Sequence, residues 1–311
     1  MERVLITGGA GFIGSHTAQA LLARGTKVRV LDNLSNGRRD NLPADALADG
    51  RVQLIEGDVR DAAAVDAAVP GCQAVLHLAA QVSVQSSIAE PVASAGHNVL
   101  GFLNVLDAVR RLGVPRMVYA SSAAVYGVPQ VLPLHEGVAP APLSPYGLEK
   151  YFNDQYAALY RELYGVSSLG MRYFNVYGPR QDPRSPYAGV ISKFADAIEG
   201  GGVLRIFGDG LQTRDFVYVG DVAQANARAL AGTATGVLNV GTGRSVTLIE
   251  LTRAMFEAFG REAPVHHEPP AQGDIRDSAM QPAALQKDLG FKPSTSLVEG
   301  LKALAASLRG A

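Results

Sequence analysis

The stretch Val4-Leu5-Ile6-Thr7-Gly8-Gly9-Ala10-Gly11-Phe12-Ile13-Gly14 leaves few choices for how this chain begins to fold. Val4 to Ile6 form a continuous apolar run of the kind buried on both faces of a parallel sheet. After the glycines, Ile13, Ala18, Leu21 and Leu22 recur at helical spacing. The expectation is strand, glycine turn, helix. At such a junction the first N–H groups of the helix have no intrahelical partner and the dipole is positive, so a pyrophosphate can sit there unless a side chain blocks it. Gly8, Gly11 and Gly14 remove those side chains.

The spacing is G-x-x-G-x-x-G, not the commoner G-x-G-x-x-G, so context has to carry the argument. A second strand, Lys27 to Leu31, ends at Asp32, about 20 residues on, where a dinucleotide fold places the acid that accepts hydrogen bonds from the adenosine ribose. A carboxylate that caps the loop is the alternative. At the ribose, Asp32 would repel a 2'-phosphate and so favour NAD over NADP, with Arg38 and Arg39 nearby as opposing charges.

Strand and helix signals then alternate. Val52 to Ile55, Ala74 to Leu78 and Met117 to Ala120 read as strands, and Asp61 reads as the N-cap of an alanine-rich helix to Val69. Asp58 and Val59, after the third strand, are expected near the adenine. Asn98 to Leu112 carry Leu100, Leu103, Leu106 and Val109 on one helical stripe, stopped by Gly113 and Pro115. The expected fold class is α/β: a Rossmann-type doubly wound parallel sheet with a smaller α/β C-terminal domain. Residues 1–172 are expected to form the cofactor domain and 173–311 the second domain, with a return of part of 215–245 to the first left open. A length of 311 residues, 47% of them hydrophobic, suffices for both.

Composition narrows the partners. The net charge is −1 and no basic run stands out, so neither nucleic acid nor an anionic membrane is expected. The single Cys72 cannot form an internal disulfide, and no apolar run approaches a membrane span, which places the chain in the cytoplasm. His266 and His267 would point to opposite sides of an extended chain with no further Cys or His cluster, so no metal is expected. His77, inside an apolar strand, is expected to pack rather than react.

The chemistry concentrates after the fifth strand. Ser121 and Ser122 sit at its carboxyl end, a proline-rich loop runs from Pro129 to Pro142, and Ser144-Pro145 announces a helix containing Tyr146 and Lys150. Four residues apart, Tyr146 and Lys150 share a helix face. A nearby ammonium favours a phenolate, so Tyr146 is expected to have a lowered pKa and to act as a base. An exposed Tyr and Lys pair is the bland alternative.

With these motifs in order, the chain resembles the extended short-chain dehydrogenase/reductase family, and within it the UDP-sugar 4-epimerases. The likeness runs through Thr7 to Gly14, Asp32-Asn33-Leu34-Ser35-Asn36, the serine stretch, Tyr146 with Lys150, Arg172 to Pro179, and Gly208 to Asp221. It implies Tyr146 as base, Ser122 as the hydroxyl bonded to the sugar O4, and Lys150 as binder of the nicotinamide ribose. It also implies NAD contacts from Phe12, Ile13, Asn33 and Asn36, from Leu78, Ala79 and Ala80, and from Asn98, Ser121 and Tyr173. Asn175, Gly189, Val190, Phe207, Arg214 and Asp274 would hold the nucleotide sugar, and a homodimer is implied through Asn98 to Leu112 and Tyr146 to Tyr164.

Two departures stand out. The family's arginine before Gly273-Asp274 is Ala271 here, leaving Arg276 as a substitute beside Arg214. Ala123 and Ala124 occupy the stretch where related dehydratases carry an acid, so water elimination lacks its proton donor. Ser278 aligns with a position where a small residue admits an acetamido group, which adds UDP-GlcNAc and UDP-GalNAc to UDP-Glc and UDP-Gal as expected substrates. The alternatives are a UDP-glucuronate 4-epimerase, a net NAD-dependent oxidoreductase on a nucleotide sugar, and a silent NAD-binding interaction protein.

Overall fold

The computed structural model describes residues 1–181, 189–270 and 275–310. Seven parallel strands make one sheet: β1 (Arg3–Thr7), β2 (Lys27–Asp32), β3 (Val52–Glu56), β4 (Ala74–His77), β5 (Met117–Ser122), β6 (Ser168–Tyr173) and β7 (Gly236–Val240). Their spatial order is β7-β6-β5-β4-β1-β2-β3, so the order reverses between β1 and β4. Ligands of open α/β sheets bind outside the strand carboxyl ends at such a reversal. Register brings the ends together there, with Thr7 beside both Leu31 and His77, and Ser122 beside Tyr173.

Alternation along the strands feeds two cores. In β1, Val4 and Ile6 point to one face, with Val30, Leu76, Val118 and Met171. Leu5 points to the other, with Leu31, Val75, Met117 and Tyr119. The first face is covered by α1 (Phe12–Leu22) and by the helix Val219–Ala231, which pack against each other. The second is covered by α2 (Gly101–Arg111), whose Phe102, Val105, Leu106 and Val109 are fully buried. Each such side chain contributes about 1.5–3 kcal/mol.

The helix expected from Asn98 starts differently. Gly96–Leu100 forms a π turn that leads into α2. The wider turn swings the polar Asn98 inward onto Gln81 and Glu149, where its buried amide finds partners. Helix α3 (Pro145–Tyr164) begins as read, with the Ser144 hydroxyl accepting from the Gly147 amide and Pro145 in the first turn.

A smaller core gathers Ile191, Phe194, Ile198, Leu251, Met255, Phe259 and Leu301 from the helices Val190–Gly200, Leu248–Phe259 and Leu297–Arg309. Capping boxes open the last two, Thr247 with Glu250 and Ser296 with Glu299. Among the described residues of this half, three strand pairs form: Asn175–Tyr177 with Phe216–Tyr218, Thr213–Arg214 with Val246–Thr247, and Leu204–Phe207 with Val265–Glu268. The edge strand β7 is covered by the loop after β5, where Glu136 accepts from the Asn239 amide and the Asn239 side chain donates to the Leu134 carbonyl.

Candidate active site

The glycine turn is built for close approach. A Cβ on Gly8, whose φ is +69°, would lie 2.7 Å from the Ala79 nitrogen, and one on Gly14 would lie 2.3 Å from the Gly8 carbonyl oxygen. Only glycine therefore lets β1, α1 and the loop after β4 meet. Gly11 is the N-cap of α1, and among the described residues no side chain caps that helix start. This uncovered, positive helix start beside Phe12 and Ile13 fits a pyrophosphate.

Asp32 is buried and does what the capping alternative proposed. One carboxylate oxygen accepts from the Ala10 amide at 2.9 Å and the other from the Leu34 amide at 2.9 Å. Each oxygen keeps a further lone pair, so the cap leaves acceptors for ribose hydroxyls. Beyond it, the Asn33 amide donates to Asp58 at 2.9 Å, and the Arg60 guanidinium holds the Asp58 carboxyl well below the carboxylate range. Val59 is buried, whereas Asn36 is exposed.

The loop after β4 faces this turn. Leu78 and Ala79 donate their amides to Thr7, through its carbonyl at 3.0 Å and its hydroxyl at 3.3 Å. That hydroxyl lies 2.8 Å from His77 Nδ1, and burial, aided by the Lys150 charge, lowers the imidazole to about 3. His77 is neutral and packs edge-on against Phe102. Asn98 closes the loop from behind, exchanging hydrogen bonds with the Gln81 backbone at 2.9 and 2.8 Å.

The three reactive side chains converge at the carboxyl end of β5. Ser122 accepts from the Ala124 amide at 3.1 Å, and its hydroxyl also faces the Tyr146 phenol. Lys150 is buried, donates to the Ala120 carbonyl at 3.2 Å, and holds its nitrogen 5.8 Å from the centre of the Tyr146 ring. Burial lowers this lysine to about 8, against the raising influence of Glu149 and Asp154.

The expected fall of the Tyr146 pKa does not occur in the protein alone. Burial raises it, the Ser122 contact opposes, and Glu149 adds to the rise. Burial is the main cause, and the Lys150 ammonium, which donates to the Ala120 carbonyl and lies 5.8 Å from the ring centre, does not offset it.

Behind the site is a buried ion pair that motif reading missed. Asp154 accepts from Arg172 at 3.0 Å and from the Tyr119 hydroxyl at 3.1 Å, and Arg172 donates to the Tyr126 hydroxyl at 2.8 Å. Asp154 lies four residues after Lys150, so the spacing that joined Tyr146 to Lys150 was the available signal. Ser121, on the same strand end, is buried. Tyr173 donates its hydroxyl to Asn226 at 2.7 Å.

On the second half, Asn175 donates from its backbone and side chain to the Asp215 carbonyl at 3.1 and 3.2 Å. Asp215 turns its buried carboxylate to Thr242 and Gly243. Arg214 donates to the Thr213 carbonyl at 2.8 Å. Thr213 also ties down the next segment: its amide donates to the Arg276 carbonyl at 2.9 Å, its carbonyl accepts from the Ser278 amide at 3.2 Å, and its hydroxyl donates to Asp277 at 2.9 Å. The Arg276 fork bonds Asp209 at 2.7 and 2.8 Å. Phe207 is exposed, Val190 opens a helix with Gly189 as its N-cap, and Asp274 lies outside the described residues, as does Ala271.

Residues 4–241 match the NAD dependent epimerase/dehydratase family. The chain belongs to that family. A putative UDP-glucose 4-epimerase of Methanocaldococcus jannaschii is 40% identical over 302 residues, covering 96% of each chain. The UDP-N-acetylglucosamine 4-epimerase of Methanobrevibacter ruminantium, solved with UDP-N-acetylmuramic acid, superposes with a TM-score of 0.95 at 35% identity, covering 99% of this chain and 98% of that one. The UDP-glucose 4-epimerase of Thermus thermophilus, solved with NAD, superposes with a TM-score of 0.91 at 41% identity over 99% of each. The family is NAD-dependent, and the uncovered start of α1 with the acceptors of Asp32 suits that cofactor. No helix among the described residues is long and apolar enough to cross a membrane.

Proposed function

We propose that this protein is a UDP-hexose 4-epimerase that inverts C4 through a transient 4-keto sugar, acting on UDP-Glc and UDP-Gal and accepting their N-acetylated counterparts. The observation that carries the reading is the convergence of Ser122, Tyr146 and Lys150 at the end of β5, opposite the glycine turn.

When bound, NAD supplies a reversible hydride acceptor and a positive nicotinamide charge that lowers the phenol. Tyr146 takes the proton of the sugar O4 as C4 is oxidised, while Ser122 holds that oxygen. Lys150, fixed to Ala120, is placed for a ribose hydroxyl. Tyr146 returns the proton after the ketone has presented its other face. Arg214 grips the diphosphate, and Arg276 joins it by exchanging its Asp209 partner, so the nucleotide stays anchored while the sugar turns.

The experiment is to incubate purified protein with UDP-Glc, UDP-GlcNAc and UDP-GlcA separately and resolve the products. C4 epimers without net NADH support the reading; accumulating NADH, or turnover of the glucuronate alone, overturns it. A second copy of the chain is the proposed partner. Leu100, Leu159 and Leu163 expose 49%, 48% and 66% of their surface on the two helices expected to pair, and sedimentation of the purified protein tests it.

A further inference from the structure

Glu149 lies between the two catalytic side chains in sequence, yet only 6% of its surface is exposed. One of its oxygens, Oε2, accepts from Asn98 Nδ2 at 2.6 Å and from the Ser94 hydroxyl at 2.9 Å. The same Asn98 amide holds the Gln81 backbone on both sides, through its oxygen and its nitrogen. Gln81 closely follows Ala79, whose amide abuts Gly8 of the glycine turn. A second tie lies one turn back, where the Tyr146 amide donates to the Ser87 hydroxyl at 3.1 Å.

We propose that Glu149 is a positioning residue, joining the catalytic helix to the π turn and, through Asn98, fixing the loop Leu78 to Gln81 against the nicotinamide end of the cofactor site. The inference rests on the epimerase reading and adds a residue to it. A buried carboxylate must be compensated by hydrogen bonds, and here the two donors, Ser94 and Asn98, come from the segment that backs the loop Leu78 to Gln81, so stability and alignment depend on one group. Its charge has a further effect: it raises both the Tyr146 phenol and the Lys150 ammonium.

Other charges around α3 have partners or positions of their own, with Arg161, Glu162 and the Arg110 that lies over Tyr164 at its far end. Asp154 and Arg172 face each other behind Lys150, His77 approaches it from β4, His97 faces Arg60 and Asp58, and Glu90 is exposed. Glu149 is therefore the charge that Tyr146 and Lys150 share.

Two variants separate the tether from the charge. Glu149→Gln keeps an acceptor oxygen for both donors and removes the charge, so NAD retention persists and both limbs of the pH profile of kcat/KM move toward acid by about one unit. Glu149→Ala loses the acceptor, so NAD washes out and kcat falls roughly tenfold or more. An unmoved profile in Glu149→Gln, or unchanged NAD retention in Glu149→Ala, overturns the proposal. Phenolate absorbance of the wild type minus Tyr146→Phe, titrated with and without Glu149→Gln, reads the charge effect without turnover. A wild type inert on every UDP-sugar would therefore sink the epimerase reading while leaving Glu149 testable.

Discussion

The Lys150 ammonium is bonded to the Ala120 carbonyl at 3.2 Å, so this charge is anchored to the strand that ends in Ser121 and Ser122. The fall of Lys150 to about 8 comes from burial. A lowered lysine keeps its proton below that pH and loses it above. Turnover is therefore expected to decline as pH rises through about 8, and Lys150→Met should lose that alkaline limb along with most NAD affinity. Steady-state rates across pH 6 to 10, roughly spanning the lysine's folded and free values, are the measurement.

Tyr146→Phe removes the proton acceptor while leaving the ring packing intact. A loss of about 10²–10⁴ in kcat is expected, with NAD still bound. Retained cofactor is read by absorbance after gel filtration, and near-normal turnover would remove Tyr146 from the reaction.

Gly14→Ala places a methyl 2.3 Å from the Gly8 carbonyl oxygen, where no flexible side chain can yield. Either α1 moves off the turn or the turn opens, and in both cases the pyrophosphate seat is lost. Expected outcomes are a lower Tm and protein purified without NAD. Gly25→Ala, at a glycine with φ +76° and no atom within 4 Å of its Cβ, serves as a strain control that keeps the cofactor.

Much of this was legible in local spacing. The strand runs and the caps at Asp61 and Ser144 depend on neighbours within a few residues, and the structure places them as read. What escaped depends on distant partners. The π turn at Gly96–Leu100 exists because Asn98 meets Gln81 and Glu149, 17 and 51 residues away. That one Asp32 carboxylate takes both the Ala10 and the Leu34 amides depends on the glycine turn folding back to within 2.9 Å. The lowered phenol failed because spacing gives a shared helix face but neither the burial of the phenol nor the partner of the lysine nitrogen.

His77 sets an acid limit on stability. Its folded value of about 3 lies below the ordinary 6.5, so between those values the unfolded chain binds the extra proton. Stability is full above the ordinary value and falls with pH, by on the order of 4 kcal/mol if the site stays dry. Denaturant melts from pH 7 to about 4 should show a steeper loss in the wild type than in His77→Gln, which has nothing to titrate there. Equal slopes would refute the assignment.

Ser278 is held by its amide to the Thr213 carbonyl, so its side chain is presented from a fixed backbone. Ser278→Tyr should abolish turnover of UDP-GlcNAc and UDP-GalNAc while sparing the non-acetylated pair within about tenfold. Product ratios for both pairs decide it, and unchanged use of the acetylated sugars would separate Ser278 from specificity.

The seventh strand of the large sheet, β7, is supplied by chain that has already passed through the smaller core. The helix Val219–Ala231 likewise packs back onto α1. No single cut thus yields a cofactor half and a sugar half that are each whole. The large sheet and the smaller core are built by one thread that visits each more than once, so loosening either loosens the other.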